Sequence, residues 1–190
     1  MKYGESDRRW QWSQAPSVPL TDPLHSWLTE RQSLTRRLRS VCKEFRVAVH
    51  QNNIERVCPD EMFLLTGGDR TTLVREVSLI CDEQPVVFGH SILMTRKKGQ
   101  LAQLFRQTGD RALGALLFAC PEIRRGTLYF KRIDRQHALY AKSVASLGET
   151  SLLFFEARRS VFSLRSERVC VTEVFSPRLT AGFSLKRDDG

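Results

Sequence analysis

No run of apolar residues in this 190-residue chain approaches the roughly 20 that a membrane helix needs. The opening stretch, MKYGESDRRWQWSQAPSVP, has no apolar core. No secretory leader is read there, and the cytoplasm is the expected compartment. The five cysteines, Cys42, Cys58, Cys81, Cys120 and Cys170, are widely spaced and form no CxxC; free buried thiols are expected. The four histidines make no HxH, HExxH or Cys/His cluster, so no metal site is expected. P-loop, GxGxxG and Ser-His-Asp patterns are missing as well. An enzyme built on this chain would work without a cofactor, on a substrate that needs placement more than chemistry.

What is present suits one domain with a real core: 41% hydrophobic and 27% charged residues. Net charge is +9, which favours an anionic partner, either nucleic acid or a small polyanionic metabolite. The basic residues are scattered as Arg8-Arg9, Arg36-Arg37-Arg39, Arg96-Lys97-Lys98, Arg124-Arg125, Lys131-Arg132 and Arg158-Arg159. No helix gathers them and no aromatic RNA-binding motif accompanies them, so solvated surface charge is their plainer reading and no nucleic-acid partner is expected.

Residues 1–21 read as a poorly ordered lead-in whose Trp10 and Trp12 could dock on the domain. Asp22-Pro23 is a helix start, with Leu24, Trp27 and Leu28 at helical spacing. Ser33 caps a second helix opening at Leu34, and a helix start offers free backbone N–H groups. Phe45 to His50 alternates as a strand, and 51–70 reads as a connecting loop. Thr71 to Met94 is a hairpin with a polar turn at Asp82-Glu83-Gln84-Pro85. A third helix is expected near 98–107 and a fourth from Ala112 to Ala119, with a new start around Leu113. Strands follow at 127–132, within 151–164, and at 168–176, and 178–190 is a polar tail. The expected architecture is α+β: one domain over 22–177, an antiparallel sheet of about six strands, and two helix-turn-helix pairs against it.

Two strands each place one charge on an apolar face. Arg75 shares a face with Leu73, Val77 and Leu79, and Glu173 sits between Val171 and Phe175. Such charges are costly unless partnered. They could pair with each other as a buried salt bridge. Each could instead face a cavity, Arg75 holding a ligand carboxylate and Glu173 meeting a hydroxyl or moving a proton.

The segments DPLHSWLTERQSLTRRL, LVREVSLICDEQPVVFGHSIL, LGALLF, SLLFFEARRSVFSL and VTEVFSP together resemble the chorismate lyase family. The resemblance runs in unbroken order from Asp22 to Pro177. It implies a cofactor-free lyase that converts chorismate to 4-hydroxybenzoate and pyruvate, the first committed step of ubiquinone biosynthesis, acting as a monomer. It also implies ligand contacts. Arg75 would meet the ring carboxylate and Glu173 the phenolic oxygen, both as catalytic residues, and Leu34 and Leu113 would offer backbone N–H groups. Relatives carry methionine at the position of Leu34, a change a backbone donor tolerates. The family's arginine after the hairpin glycine is replaced here by His90, which then either serves substrate access or is structural. The resemblance favours the ligand cavity over the Arg75–Glu173 salt bridge. A non-catalytic module of the same fold, binding an aromatic carboxylate, is the competing reading.

Overall fold

The computed structural model describes residues 11–65, 71–94 and 99–181. Trp10, Arg8-Arg9, Arg96-Lys97-Lys98 and the tail beyond Ala181 lie outside the described residues. The chain runs α1 (Pro23–Leu28), α2 (Leu34–Val41), β1 (Phe45–Arg56), a 3-10 turn (Pro59–Leu64), β2 (Thr71–Cys81) and β3 (Gln84–Leu93). It continues with α3 (Gln100–Arg106), α4 (Leu113–Ala119), β4 (Arg124–Arg125), β5 (Tyr129–Asp134), α5 (Leu139–Leu147), β6 (Phe154–Leu164), β7 (Glu167–Phe175) and α6 (Arg178–Ala181).

The expected antiparallel sheet is formed, with seven strands among the described residues, in the order β1-β2-β3-β7-β6, with β4 and β5 both pairing with the outer edge of β6. β1 extends to Arg56, so residues 51–56, expected in a loop, belong to the sheet beyond a register shift at Val49/Gln51. β1 is an edge strand, and an edge leaves polar side chains such as Asn52 and Asn53 in water. The hairpin turn is tighter than expected. Asp82 and Glu83 alone make it, both at positive φ (47° and 64°), and Gln84-Pro85 already belongs to β3. Positive φ at both central residues gives the two-residue turn the hand that matches strand twist.

α5 was not anticipated. Its apolar side is Leu139 and Leu147, with Ser143 between them at i+4. Gly148 ends it in the left-handed conformation (φ 66°), as helices commonly end. Residues on both flanks of 22–177 also pack on the sheet. Ser13 pairs with Phe130, and Leu179 of α6 is fully buried.

Both helix pairs lie where they were expected, but only the first starts on side-chain caps; Gly99 and Ala112 precede α3 and α4 and offer none. Asp22 caps α1 through Leu24 N (2.8 Å) and Ser33 caps α2 through Arg36 N (3.3 Å). α1 and α2 cover one end of one sheet face through Trp27, Leu28, Leu34 and Leu38, packed on Val77, Leu79, Val87 and Phe175. α3 and α4 cover the other end of the same face through Leu101, Phe105, Leu113 and Leu117, packed on Leu93, Phe162, Leu164 and Val169. Glu167 anchors α3 by accepting from Leu101 N (3.1 Å) and Ala102 N (2.9 Å). On the opposite face, α5 packs against Phe88, Phe155, Ala157 and Val174.

The expectation of five free thiols is corrected. Cys42 and Cys81 form a disulfide with Cα atoms 5.4 Å apart. Cys42 ends α2, and the Phe45–Cys81 pairing of β1 with β2 brings that end over the last residue of β2. A separation of 39 residues carries no such signal in the sequence. Cys58, Cys120 and Cys170 are free.

Candidate active site

Register across the four central strands fixes three neighbouring rungs. Arg75, Ser91, Val171 and Ser160 form one; Glu76, His90, Thr172 and Arg159 the next; Val77, Gly89, Glu173 and Arg158 the third. Strand side chains alternate between faces, so the outer two rungs face the helix pairs and the middle rung faces α5. The helix-covered face therefore carries a polar belt between two apolar patches, containing Arg75, Ser91, Glu173, Arg158 and Ser160, with Arg125 of β4 beside it.

Both charged residues expected there are there, but they are not bonded to each other. They sit two strands and two residues apart, about 12 Å between Cα atoms at ordinary strand spacing and rise. Arg75 is 2% exposed. Its Nη2 donates to the carbonyls of Gly109 (3.0 Å) and Arg111 (2.9 Å), in the turn between α3 and α4. Its Nε is buried without a partner. Burial pushes its pKa down to about 10, against the opposing charge of Asp110. It is still a cation at neutral pH, held among carbonyl dipoles.

Glu173 pairs with Arg158 instead (Nε to Oε2, 2.5 Å), and Arg125 Nη2 stands 4.0 Å from the same oxygen. Arg158 is 1% exposed and its Nη1 donates to the carbonyls of Trp27 (2.9 Å), Leu28 (3.1 Å) and Glu30 (2.8 Å). Arg125 Nη1 donates to the carbonyls of Glu30 and Arg31, both at 3.2 Å. The arginines of the belt thus hold the connecting turn of each helix pair. Leu34 and Leu113 are the first residues of α2 and α4, so their backbone N–H groups precede the intrahelical ladder. Gly89 forms the floor beside Glu173. A Cβ there would lie 3.1 Å from Val77 Cγ2, so a side chain would push into the belt.

Arg158 and Arg125 were read from the sequence as scattered surface charge. Their signal was weak but present. In FFEARRSVFSL two adjacent arginines interrupt a strand apolar on both sides, and adjacent positions must face opposite sides of the sheet.

His90, the candidate for substrate access, lies on the middle rung, on the opposite face from Arg75 and Glu173, and is 2% exposed. Its Nδ1 is 2.8 Å from Glu76 and its Nε2 3.2 Å from Glu61. Burial disfavours its charge, but the Glu61 and Glu76 carboxylates outweigh burial and raise its pKa to about 9. Glu76 also accepts from Lys142 (2.6 Å). Arg159, 4% exposed, pairs with Asp60 (2.9 Å) and Glu61 (3.4 Å) and lies over the Trp12 ring at 4.0 Å. Trp12 donates to Asp60 (2.8 Å), so the expected docking of Trp12 is seen.

Cys58, Glu61 and His90 bring ligand-type atoms within 4.8 Å of one another. Burial, with the Glu61 and Asp60 charges, pushes the Cys58 thiol far up. A metal would have to displace that proton and the hydrogen bond between His90 and Glu61. The set is better described as a satisfied ionic network than as an open coordination site.

With that geometry in place, the comparisons are specific. Residues 7–181 match the family described as Chorismate lyase. The chain is 39% identical over 175 residues to the "Probable chorismate pyruvate-lyase" of Dechloromonas aromatica (strain RCB), covering 91% of this chain and 98% of that one. It is 42% identical over 167 residues to the protein of the same description in Aromatoleum aromaticum (strain DSM 19018 / LMG 30748 / EbN1), covering 86% and 89%. In fold it is similar to the C-terminal domain of the histidine utilization repressor from Pseudomonas syringae pv. tomato str. DC3000, with a TM-score of 0.52 and 10% identity over 71% of this chain and 93% of that one. The chain belongs to the chorismate lyase family.

Proposed function

We propose that the protein converts chorismate to 4-hydroxybenzoate and pyruvate at the polar belt, as a cytoplasmic monomer acting at the first committed step of ubiquinone biosynthesis. The observation that carries this reading is the buried Arg75, a guanidinium with an unpartnered Nε standing across the belt from Glu173. Desolvating a cation without an ion pair costs stability, and an anionic ligand would repay it. Arg75 would hold the ring carboxylate by charge-assisted hydrogen bonds, turning from the Gly109 and Arg111 carbonyls to do so. The backbone N–H groups of Leu34 and Leu113 would add donors at the two helix starts. Glu173 would meet the ring hydroxyl that becomes the phenol.

In the reaction the ring carbon bearing that hydroxyl loses its proton. The neighbouring carbon–oxygen ether bond breaks, and its oxygen keeps the electron pair. The released enolpyruvate takes a proton on its methylene carbon and becomes pyruvate. The ring gains aromaticity, so the protein's task is placement and charge stabilisation. The two helix pairs would have to loosen for the product to leave, and that step would limit turnover.

The test is to incubate the purified protein with chorismate and a chelator and to measure both products. Equimolar 4-hydroxybenzoate and pyruvate are expected. Binding of 4-hydroxybenzoate without either product forming would contradict the lyase reading and favour a non-catalytic binding module.

A further inference from the structure

Chorismate carries two carboxylates, and Arg75 accounts for one. The second sits on the enolpyruvyl arm, attached to the ring carbon next to the one bearing the hydroxyl. A ring with its carboxylate at Arg75 and its hydroxyl at Glu173 therefore directs that arm to the Glu173 end of the belt. Two arginines stand there, with different commitments. Arg158 is buried and spends Nε on Glu173 and Nη1 on three carbonyls. Arg125 spends Nε on Ser160 Oγ (2.8 Å) and Nη1 on two carbonyls, while its Nη2 faces Glu173 at 4.0 Å, beyond hydrogen-bond range. Its guanidinium lies against the edge-to-face pair of Phe118 and Phe162 rings (5.6 and 5.5 Å). Burial lowers its pKa to about 10, with Glu173 opposing the fall and Arg158 adding to it.

Arg125 also lines a groove of about 570 Å³ that Glu173 does not line. Gln14, Thr29, Arg31 and Thr127 supply its polar lining. The groove brings a second arginine, Arg31, to the rim, and among the described residues no acidic side chain lines it. The charges of the belt agree. Arg75, Arg125 and Arg158 share the belt with one bonded carboxylate, Glu173, while Asp110 and Glu30 act on them only from its edges, so the belt keeps a positive surplus that suits an anionic ligand.

We infer that Arg125 holds the enolpyruvyl carboxylate of the substrate, and that the groove at Arg31 is the route by which the three-carbon acid leaves. This inference rests on the chorismate reading above. It divides the ligand contacts into two halves. Arg75 serves substrate and aromatic product alike, whereas Arg125 serves only the substrate and pyruvate, because 4-hydroxybenzoate has no second carboxylate.

The experiment compares Arg125→Gln with the intact protein, measuring the KM for chorismate, the Kd for 4-hydroxybenzoate and inhibition by pyruvate. Loss of one charge-assisted contact predicts a KM raised about 10- to 100-fold, a Kd for 4-hydroxybenzoate within about threefold, and weakened pyruvate inhibition. Equal weakening of chorismate and 4-hydroxybenzoate would overturn the assignment, as would an unchanged KM. Two measurements do not depend on how that variant folds. Arg31→Gln, at the exposed rim, should weaken pyruvate inhibition without changing 4-hydroxybenzoate binding. In the intact protein pyruvate and 4-hydroxybenzoate should bind together; mutually exclusive inhibition would overturn the inference. An intact protein that yields no product from chorismate overturns the chorismate reading itself, a separate result.

Discussion

The two faces of the central sheet carry polar residues on adjacent rungs and treat them in opposite ways. On the α5 face, His90, Arg159 and Lys142 meet Asp60, Glu61 and Glu76, so charges of both signs are matched in number and bonded within 3.4 Å, although Asp60 Oδ1 itself has no hydrogen-bond partner. On the helix-covered face, among the described residues, Glu173 is bonded to Arg158 and stands 4.0 Å from Arg125, Asp110 and Glu30 reach Arg75 and Arg125 only through their charge, and Arg75 Nε has no partner. Burial alone does not separate the two faces, since Arg75 and His90 are equally inaccessible. Closure of the charge balance does. A closed network is structural, and removing one member leaves a buried charge uncompensated. An open one costs stability in the free protein and is repaid when a ligand of the missing charge binds.

Substitutions test that difference. The largest stability effect is expected on the α5 face. Arg159→Met removes the cation that Asp60 and Glu61 share, at about 3–5 kcal/mol, and should lower Tm by about 10 °C in a thermal melt. Next comes the tether under α1 and α2. Reducing the Cys42–Cys81 bond, or Cys42→Ser, releases a loop closed across 39 residues. That is worth about 4 kcal/mol of chain entropy, read as a lower Tm under reductant.

The third effect depends on pH. The raised pKa of His90 gives stability that is complete below its ordinary value of about 6.5 and lost as pH rises through about 9. The lowered pKa of Glu61, where the charge and hydrogen bond of His90 overcome burial, acts with the opposite sign and is lost as pH falls through the carboxylate range. Urea midpoints should therefore decline from pH 6.5 to 9.5, and His90→Gln should flatten that decline. The smallest effect on Tm is expected on the open face. Arg75→Met removes two hydrogen bonds and a desolvated cation together and should shift the Tm of the free protein by no more than about 3 °C. It should abolish the stabilisation that 4-hydroxybenzoate gives, about 2.7 kcal/mol at a hundredfold excess over Kd.

The sequence showed the parts of this site whose signals are local. Asp22-Pro23 and Ser33 announced helix starts through capping chemistry, and period-two alternation exposed Arg75 and Glu173 as charges on apolar faces. What it hid depends on pairing. Whether a charge inside a strand is balanced turns on which strands are neighbours. Residue patterning alone therefore allows Arg75 and Glu173 as partners, whereas β3 lies between their strands. Arg158 and Arg159 look alike in the sequence, yet one faces Glu173 and the other Asp60. Glu61, which partners His90, falls in a segment that reads as loop. The Cys42–Cys81 bond, likewise, exists because β1 folds back along β2. α5 was missed for another reason: its buried side is short and includes Ser143, so its apolar period is weak.

The most direct measurement follows chorismate turnover in Glu173→Gln and His90→Gln side by side, each normalised to folded protein by circular dichroism. Glu173→Gln should lose turnover by about 100-fold or more while keeping its fold. His90→Gln should turn over chorismate at close to the unaltered rate despite a lower Tm. An active Glu173→Gln, or a folded His90→Gln without activity, would contradict the assignment of the open face as the site and the closed face as its support.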